Sequence, residues 1–157
     1  MAMYLKYGEI KGCSTEKSHK GWIDIESISF GVSRAITAAP GTSQNREGST
    51  PRFSELTITR RLDDASPGFF IESTTGTGKP AVIEFTKSGD GQDIYLKYEL
   101  EDCLVSGYSI SAHGDIPVES IQISFTKFMM SFTPHDDKNK AQAQIRAGFD
   151  MAQGIKL

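Results

Sequence analysis

The sequence predicts a mainly β protein, an antiparallel β-barrel or sandwich with one short helix. Eight or so segments alternate apolar and polar residues, and turns rich in Gly, Asp and Pro separate them. Fifteen glycines, together with many Ser and Thr, indicate frequent turns and half-exposed strands. A length of 157 residues is typical of one domain, so residues 1–157 are expected to share a single core.

The clearest strand covers residues 94–101. Its apolar residues at every second position fall on one face, and mainly polar residues fall on the other, which is typical of a half-buried antiparallel strand. Residues 56–62 alternate in the same way, except that Arg60 breaks the apolar face. Shorter alternating segments lie at residues 3–7, 23–32, 81–86, 104–112, 121–132 and 144–149.

The segment that follows Trp22 changes phase between Ile25 and Ile28. This change predicts a bulge or sharp bend, of the kind that turns a barrel corner. Trp22 itself is expected to pack against the core rather than to recognise a partner. Two Gly- or Asp-containing stretches predict hairpin turns, a tight one at 89–91 and a longer polar one at 135–140.

One segment predicts a helix, at about residues 67–75. Ser66 can cap its start, a proline suits its first position, and Gly76 follows where a left-handed glycine often ends a helix. Phe69 and Phe70 are expected to pack inward. So short a helix is unstable alone in water and must lie against the sheet.

Residues 36–54 are the first functional candidate. The stretch is long, consists mainly of small and polar residues, and contains two prolines. Structureless loops longer than about 12–15 residues are uncommon inside compact domains and are usually functional or disordered. A flexible linker between two strands is the alternative interpretation.

The end of segment 118–132 gives a second clue, because Phe128-Met-Met-Ser-Phe132 places apolar side chains on both strand faces. One face can fill the interior, and the other needs a cover. A short helix is one candidate cover and a neighbouring subunit is the other, since apolar patches larger than a few hundred Å² are seldom left in water.

The sequence lacks the patterns that enzymes and metal sites need. A net charge of −3 argues against a general nucleic-acid binder. His19, His113 and His135 lack the spacing of metal ligands, so they are expected to be surface or turn histidines. Residues 75–79, Thr-Gly-Thr-Gly-Lys, lack the first glycine and the final Ser or Thr of a phosphate loop. We therefore expect neither an enzymatic activity nor a cofactor.

The remaining carboxylates and the cysteines also indicate structural roles. Asp63 and Asp64 precede the helix, where negative charge interacts well with its dipole. Cys13 and Cys103 lie 90 positions apart and are expected to be reduced thiols. The N-terminus lacks the basic and apolar regions of a signal peptide, so the protein is expected to start in the cytoplasm.

Three segments resemble the haemolysin-coregulated protein (Hcp) family, whose members form the inner tube of bacterial type VI secretion systems. These segments are residues 19–33, 53–67 and 107–127. The similarity runs from about residue 1 to residue 132, and the hairpin and tail at 133–157 also suit the family. The most specific motifs are His19-Lys20-x-Trp22-Ile23, Asp64-Ala65-Ser66-Pro67 and Pro117-x-Glu119-Ser120.

The resemblance implies an Hcp-like antiparallel β-barrel with one flanking helix and an extended loop. It also implies hexameric rings that stack into a hollow tube, inside a contractile sheath and capped by a VgrG spike. Effector proteins would travel in the lumen, where the ring would carry or chaperone them. The protein would leave the bacterial cytoplasm through this apparatus without a signal peptide and without inserting into a membrane.

The resemblance further implies roles for residues 36–54 and 128–132. The loop would reach the adjoining ring, with candidate contacts at Ile36, Thr42, Gln44, Arg46, Glu47, Ser49 and Arg52. Phe128, Met130 and Phe132 would lie in a subunit interface or in the core. A monomeric β-barrel that binds a small ligand, with residues 36–54 as a lid, is the alternative function.

Overall fold

The computed structural model describes residues 1–37, 40–41, 48–88 and 93–157. These residues form twelve strands and one helix. In chain order the elements are β1 Ala2–Tyr7, β2 Ile23–Ile25, β3 Ser27–Ser29, β4 Val32–Ser33, β5 Arg52–Phe53, β6 Leu56–Arg61, α1 Ser66–Thr75, β7 Lys79–Thr86, β8 Ile94–Ser111, β9 Val118–Ser124, β10 Lys127–Phe132, β11 Ile145–Asp150 and β12 Ile155–Lys156.

Two antiparallel sheets share the long strand β8. The first runs in the order β12-β11-β10-β8-β7-β1-β2, and the second in the order β3-β6-β9-β8. The first half of β8 pairs with β7 and β10, and its second half pairs with β9. Asp102 has φ 52° at the junction, an uncommon backbone conformation for a residue other than glycine. The two alternating segments expected at 94–101 and 104–112 are therefore one strand that bends at Asp102.

The second corner is the bend predicted between Ile25 and Ile28, and the structure confirms it. Strand β2 pairs with β1 in the first sheet, whereas β3 pairs with β6 in the second. Glu26 joins the two strands, and its N–H donates to the Thr59 carbonyl at 2.9 Å. The two corners give a mainly β fold, in which the sheets face each other without forming one closed sheet.

The core lies between the two sheets and is filled by side chains. The fully buried apolar residues come from both sheets and from the helix. They include Leu5, Tyr7, Ile23, Leu56, Ile58, Phe69, Ala81, Ile83, Ile121 and Ile123. The alternation of buried positions along β6 and β9 is the one that the sequence predicted, except that Leu62, expected on the buried face, is 39% exposed. On β1 the alternation is broken because Tyr4 is buried as well as Leu5.

The helix spans Ser66–Thr75 and differs from expectation at both ends. Ala65 stands at the N-cap, and the Ser66 hydroxyl instead donates to Glu119 Oε1 at 3.1 Å. Gly76 is extended, with φ −65° and ψ 155°, so the left-handed conformation predicted for it is wrong. Glycine is needed there because a Cβ would lie 2.4 Å from the Glu72 carbonyl oxygen.

Only one of the two helix phenylalanines packs inward. Phe69 is fully buried, with its ring 5.7 Å from the Tyr7 ring. Phe70 is 58% exposed, so the prediction that it packs inward is wrong. Neighbouring helix positions point about 100° apart, and the core takes only one of the two rings.

The C-terminal strands extend the first sheet beyond β8. Strand β11, expected at residues 144–149, spans Ile145–Asp150 and pairs with β10 along its whole length. The polar turn expected at 135–140 is confirmed by a bridge between His135 and Ala141. The hairpin tip expected at 89–91 lies outside the described residues. Within the described residues, no helix has the length and apolar character needed to cross a membrane.

Candidate assembly surfaces

Residues 31–54, which we call the arm, connect β3 to β6, and the structure describes all of them except 38–39 and 42–47. The base of the arm is a two-stranded ribbon in which Val32 pairs with Phe53 and Ser33 pairs with Arg52. Ser54 closes the base, since its N–H donates to the Gly31 carbonyl at 2.8 Å and its hydroxyl accepts from the Gly31 N–H at 2.7 Å. The arm therefore leaves the barrel in a direction fixed by backbone hydrogen bonds.

The pairing continues outward beyond β4 and β5. The Ser49 N–H donates to the Ala35 carbonyl at 2.8 Å, and the Ser49 hydroxyl accepts from the Ala35 N–H at 3.0 Å. One step further, Ile36 bridges Gly48. The stretch predicted as a loop thus begins and ends in a paired ribbon, as far out as Ile36 and Gly48. This pairing argues against a plain flexible linker.

The structure places three of the seven predicted arm contacts. Ile36, Ser49 and Arg52 all lie exposed on the ribbon, and Ile36 stands opposite Gly48, the residue before Ser49. The other four, Thr42, Gln44, Arg46 and Glu47, lie outside the described residues. The contact role of all seven stays a prediction.

Strand β10 directs Phe128, Met130 and Phe132 to the inner face of the sheet. In register they pair with Leu100, Tyr98 and Leu96 of β8 and with Phe149, Ala147 and Ile145 of β11. Phe128 is buried, with the Phe30 ring 4.8 Å and the Tyr98 ring 5.1 Å from its own. Met130 is partly buried, and Phe132 is 42% exposed.

The cover for this strand does not come from the helix, which packs against β8 instead. Phe30, between β3 and β4, and Phe53, in β5, cover the Phe128 end, and the Phe53 ring lies 5.7 Å from the Phe149 ring. The helix interpretation is therefore wrong, because α1 packs against β8, and the two aromatic side chains at the arm base cover the inner face. On the outer face of β10, Met129 lies against Gly148, whose missing side chain leaves room for it.

The far end of the same face stays uncovered. Ile145, which pairs with Phe132, is 62% exposed, and Ala147 is exposed beside it. We call Leu96, Phe132, Ile145 and Ala147 the terminal patch. The apolar run at 128–132 predicts an unusual strand, but it does not show which end of the strand is exposed.

A second apolar surface lies between α1 and the second half of β8, and sequence analysis missed it. The Phe70 ring meets the Tyr108 ring at 6.2 Å, and Ile71 is 58% exposed next to Phe70. Together with five neighbours, of which Asp63 and Ser66 are polar, they line an open groove of ≈ 510 Å³. We call it the helix groove; its apolar and aromatic residues are Leu62, Pro67, Phe70, Ile71, Tyr108 and Ile110.

A buried charge network supports the floor of this groove. Arg60 is 1% exposed and forms ion pairs with Glu119 and Asp63. Tyr108 donates its hydroxyl proton to Glu119 Oε2 at 2.5 Å. Burial, followed by this hydrogen bond to Glu119, raises the pKa of Tyr108 well above its ordinary value, so the phenol stays protonated. The network joins β6, β9, β8 and the start of α1.

The family model for the type VI secretion system effector Hcp matches residues 4–132. The chain belongs to the Hcp family. Protein hcp1 of Pseudomonas aeruginosa is 25% identical over 159 residues, which cover 98% of this chain and 97% of that protein.

Solved Hcp structures share the fold of this chain. The structure of a type six secretion system protein superposes with a TM-score of 0.92 at 23% identity and covers 99% of both chains. Hcp1 from Salmonella typhimurium superposes with a TM-score of 0.81 at 22% identity, over 99% of this chain and 98% of its own. The chain is thus a full-length match to Hcp proteins in its architecture.

Several motif residues of this Hcp chain lie in buried polar clusters. Ser66 and Glu119 belong to the charge network beneath the helix groove. His19 is buried between Glu16 and Glu84, with Nδ1 2.5 Å from Glu16 Oε2 and Nε2 2.6 Å from Glu84 Oε2. His19 lies in a turn, as one half of the expectation had it, but it is not a surface histidine, because a carboxylate on β7 and one in its own loop enclose it.

Aromatic rings complete the His19 cluster. The Tyr4 ring stacks on the imidazole at 4.3 Å, and the Trp22 ring meets it edge-on at 4.9 Å. Trp22 thus packs within the protein, as predicted, but it is only partly buried and lies against His19 rather than against the core. The motif His19-Lys20-x-Trp22 therefore ties the loop between β1 and β2 to the outer face of the first sheet.

Proposed function

We propose that this Hcp chain is a structural subunit that forms hexameric rings, and that the rings stack into the inner tube of a type VI secretion system. The arm is the observation that carries the proposal. Hydrogen bonds at Gly31, Ala35 and Ser49 hold its base, so the part of the arm that the structure describes leaves the barrel in a defined direction.

The composition of the arm suits a contact that forms and breaks. Between Ile36 and Arg52 it carries mainly small and polar side chains. A ring built from head-to-tail contacts closes on itself and leaves two faces free to stack. Polar contacts between rings separate more readily than apolar ones once an effector has been delivered. We therefore assign the arm to contacts between adjoining rings.

The wider assembly follows from the same role. The tube would lie inside a contractile sheath and carry a VgrG spike at its end. Effector proteins would travel in the lumen, and the ring would chaperone them. The chain would pass from the bacterial cytoplasm to the outside through this apparatus, and it would do so as a structural component rather than as an enzyme.

The packed interior argues against the alternative of a small-ligand barrel. Leu5, Ile58, Ile83 and Ile121 are all fully buried between the two sheets. Side chains therefore fill the space that such a ligand would occupy.

Secretion tests the proposal in cells. We expect the chain to appear in the culture medium of an intact strain and to stay in the cell when the sheath gene is deleted. A cytoplasmic reporter protein controls for lysis. Equal release from both strains, with the reporter retained, would contradict a role in this apparatus.

A further inference from the structure

Both ring nitrogens of His19 face carboxylate oxygens. Nδ1 lies 2.5 Å from Glu16 Oε2, and Nε2 lies 2.6 Å from Glu84 Oε2. An ionised carboxylate only accepts hydrogen bonds, whereas a neutral imidazole carries a proton on just one of its two nitrogens. Both contacts are hydrogen bonds only when the cluster holds one further proton. Imidazole is more basic than a carboxylate, so this proton belongs on His19 and makes it an imidazolium.

The protein shields this charged cluster from water. His19 is 1% exposed, and the side chains of Glu16 and Glu84 are 15% and 13% exposed. The Tyr4 ring stacks on the imidazole, and the Trp22 ring meets it at a right angle. Opposite charges attract more strongly where water is excluded, so the imidazolium binds both carboxylates firmly. Without its proton, one of its nitrogens would set a lone pair against a carboxylate.

No other cation among the described residues takes the place of His19 in this cluster. The titratable groups that stand side by side in register on β2, β1, β7 and β8 are Asp24, Tyr4, Glu84 and Lys97. The Lys97 ammonium pairs with Glu99 at 2.9 Å. In the part of the chain that the structure describes, His19 is the ion-pair partner of both Glu16 and Glu84. The proton on His19 therefore decides whether the two carboxylates are bridged.

Residues 8–22, the loop that carries His19, are joined to one another by backbone hydrogen bonds. The Gly12 N–H donates to the Gly21 carbonyl at 2.9 Å, and the Ser14 N–H donates to the Trp22 carbonyl at 3.1 Å. In return the Gly21 N–H donates to the Ser14 carbonyl at 2.8 Å. The loop is therefore one bonded unit rather than a set of independent residues.

Within the described residues, two polar side-chain contacts join this loop to other parts of the chain. His19 binds Glu84 of β7, on the outer face of the first sheet. The Cys13 thiol donates to Asp63 Oδ2 at 3.2 Å, just before α1. The loop thus connects the outer face of the first sheet to the charge network beneath the helix groove.

We propose that His19 is a pH-sensitive switch that holds residues 8–22 against the first sheet. The charged imidazole bridges Glu16 in the loop and Glu84 on β7. The neutral imidazole donates to only one of them, so the loop is released from the sheet. A protonation equilibrium at one buried side chain thus sets the position of the whole loop.

The direction of the pH dependence follows from the charges. The folded contacts favour the charged form of His19, so the hold on the loop is present where His19 is protonated and is lost as pH rises. In acid the hold is lost again when the carboxylates take up protons. For Glu16 this requires a low pH, because hydrogen bonds from the Ser18 N–H and from His19 lower its pKa.

Nitrogen NMR of the wild-type chain tests the protonation state directly. The chain contains three histidines, and His113, in an exposed turn, is the internal control. At about pH 7.5, one unit above the ordinary pKa of imidazole, His113 should be neutral and His19 should carry a proton on both nitrogens. The variant His19→Gln assigns the signal. A neutral His19 at this pH would overturn the proposal.

Amide hydrogen exchange of the same chain tests the release of the loop. His19→Gln cannot take up a proton, so residues 8–22 should exchange faster in this variant than in the wild type wherever the wild-type His19 is charged. The ratio of the two rates at one pH cancels the intrinsic effect of pH on exchange. It should be roughly tenfold or more at about pH 6.5, the population change expected from one charge-assisted hydrogen bond, and should fall towards one as pH rises.

A matched variant separates the switch from a purely structural role. His113→Gln removes an exposed imidazole and should give a ratio of one at every pH. If His19 only packs the loop against the sheet, the ratio for His19→Gln stays the same at every pH. That result would overturn the proposal even if His19→Gln destabilises the chain.

Discussion

Arg60 and Glu119 face each other in register on β6 and β9 and form an ion pair that is buried from solvent. Removing one partner of such a pair leaves an uncompensated charge in the core. The pair therefore fixes the relative position of the two strands and of the helix start, which Ser66 ties to Glu119.

Truncating Glu119 should destabilise the barrel strongly. We expect Glu119→Ala to lower the free energy of unfolding by about 3–5 kcal/mol, because the buried Arg60 loses one of its two carboxylate partners, and Ser66 and Tyr108 lose their acceptor. Arg61→Ala is the matched control, since Arg61 makes an exposed pair with Glu26 and should cost about 0–1 kcal/mol. Urea denaturation followed by circular dichroism measures both, and equal losses would contradict the account.

Acid should weaken the same network through Asp63. Burial raises the pKa of Asp63, but hydrogen bonds from Arg60 and from the Ala65 N–H outweigh it, so the pKa lies below its ordinary value of 3.8. A depressed pKa in the folded state adds stability that is fully present above the unfolded value and is lost as pH falls through the folded one.

The comparison with Asp63→Asn tests this pH dependence. The stability advantage of the wild type over this variant should be constant from neutral pH to about pH 5 and should shrink below about pH 4. Thermal unfolding at a series of pH values measures it. An advantage that grows on acidification would contradict the assigned pairing.

The His19 cluster should contribute to stability and not to assembly. His19→Ala removes the imidazole between Tyr4 and Trp22 and leaves Glu84 without its partner. We expect a loss of about 1–3 kcal/mol, the cost of a partly buried polar group left unpaired. His113→Ala, in an exposed turn, is the control and should change stability by less than about 0.5 kcal/mol.

The arm should be needed for stacking and not for folding. Deleting residues 42–47 retains the bonds between Ala35 and Ser49, so the barrel and the ring should form normally. Stacks of rings and secretion should be reduced. A variant with the same six residues replaced by Gly and Ser keeps the length of the arm and removes its side chains, so it shows whether length or side-chain contact matters. Unchanged secretion by the deletion variant would refute the role of the arm.

Alternation along the chain predicted most of the strands, because one buried and one exposed face leave a period of two in the sequence. Alternation alone does not predict the role of Arg60. A charge at an inward position looks like a break in the pattern, and its partner Glu119 is distant in sequence, so local spacing could not reveal the pair. His19 was misjudged for the same reason, since Glu84 lies on another strand.

The candidate surfaces were predicted unevenly. Residues 36–54 and 128–132 were recognised as unusual, but the ribbon pairing of the arm depends on backbone register, which small polar residues specify weakly. The helix groove was missed because Phe70 follows Phe69 and both were assigned to the core. Only the packing of α1 against β8 decides which ring is buried.

The measurement that tests the central claim most directly is the size and shape of the purified wild-type chain over a range of concentrations. Mass photometry should give a species of six copies of the 17.2 kDa chain, and negative-stain images should show six-fold rings that stack as concentration rises. A strictly monomeric chain at high concentration, with no rings in the images, would contradict the account.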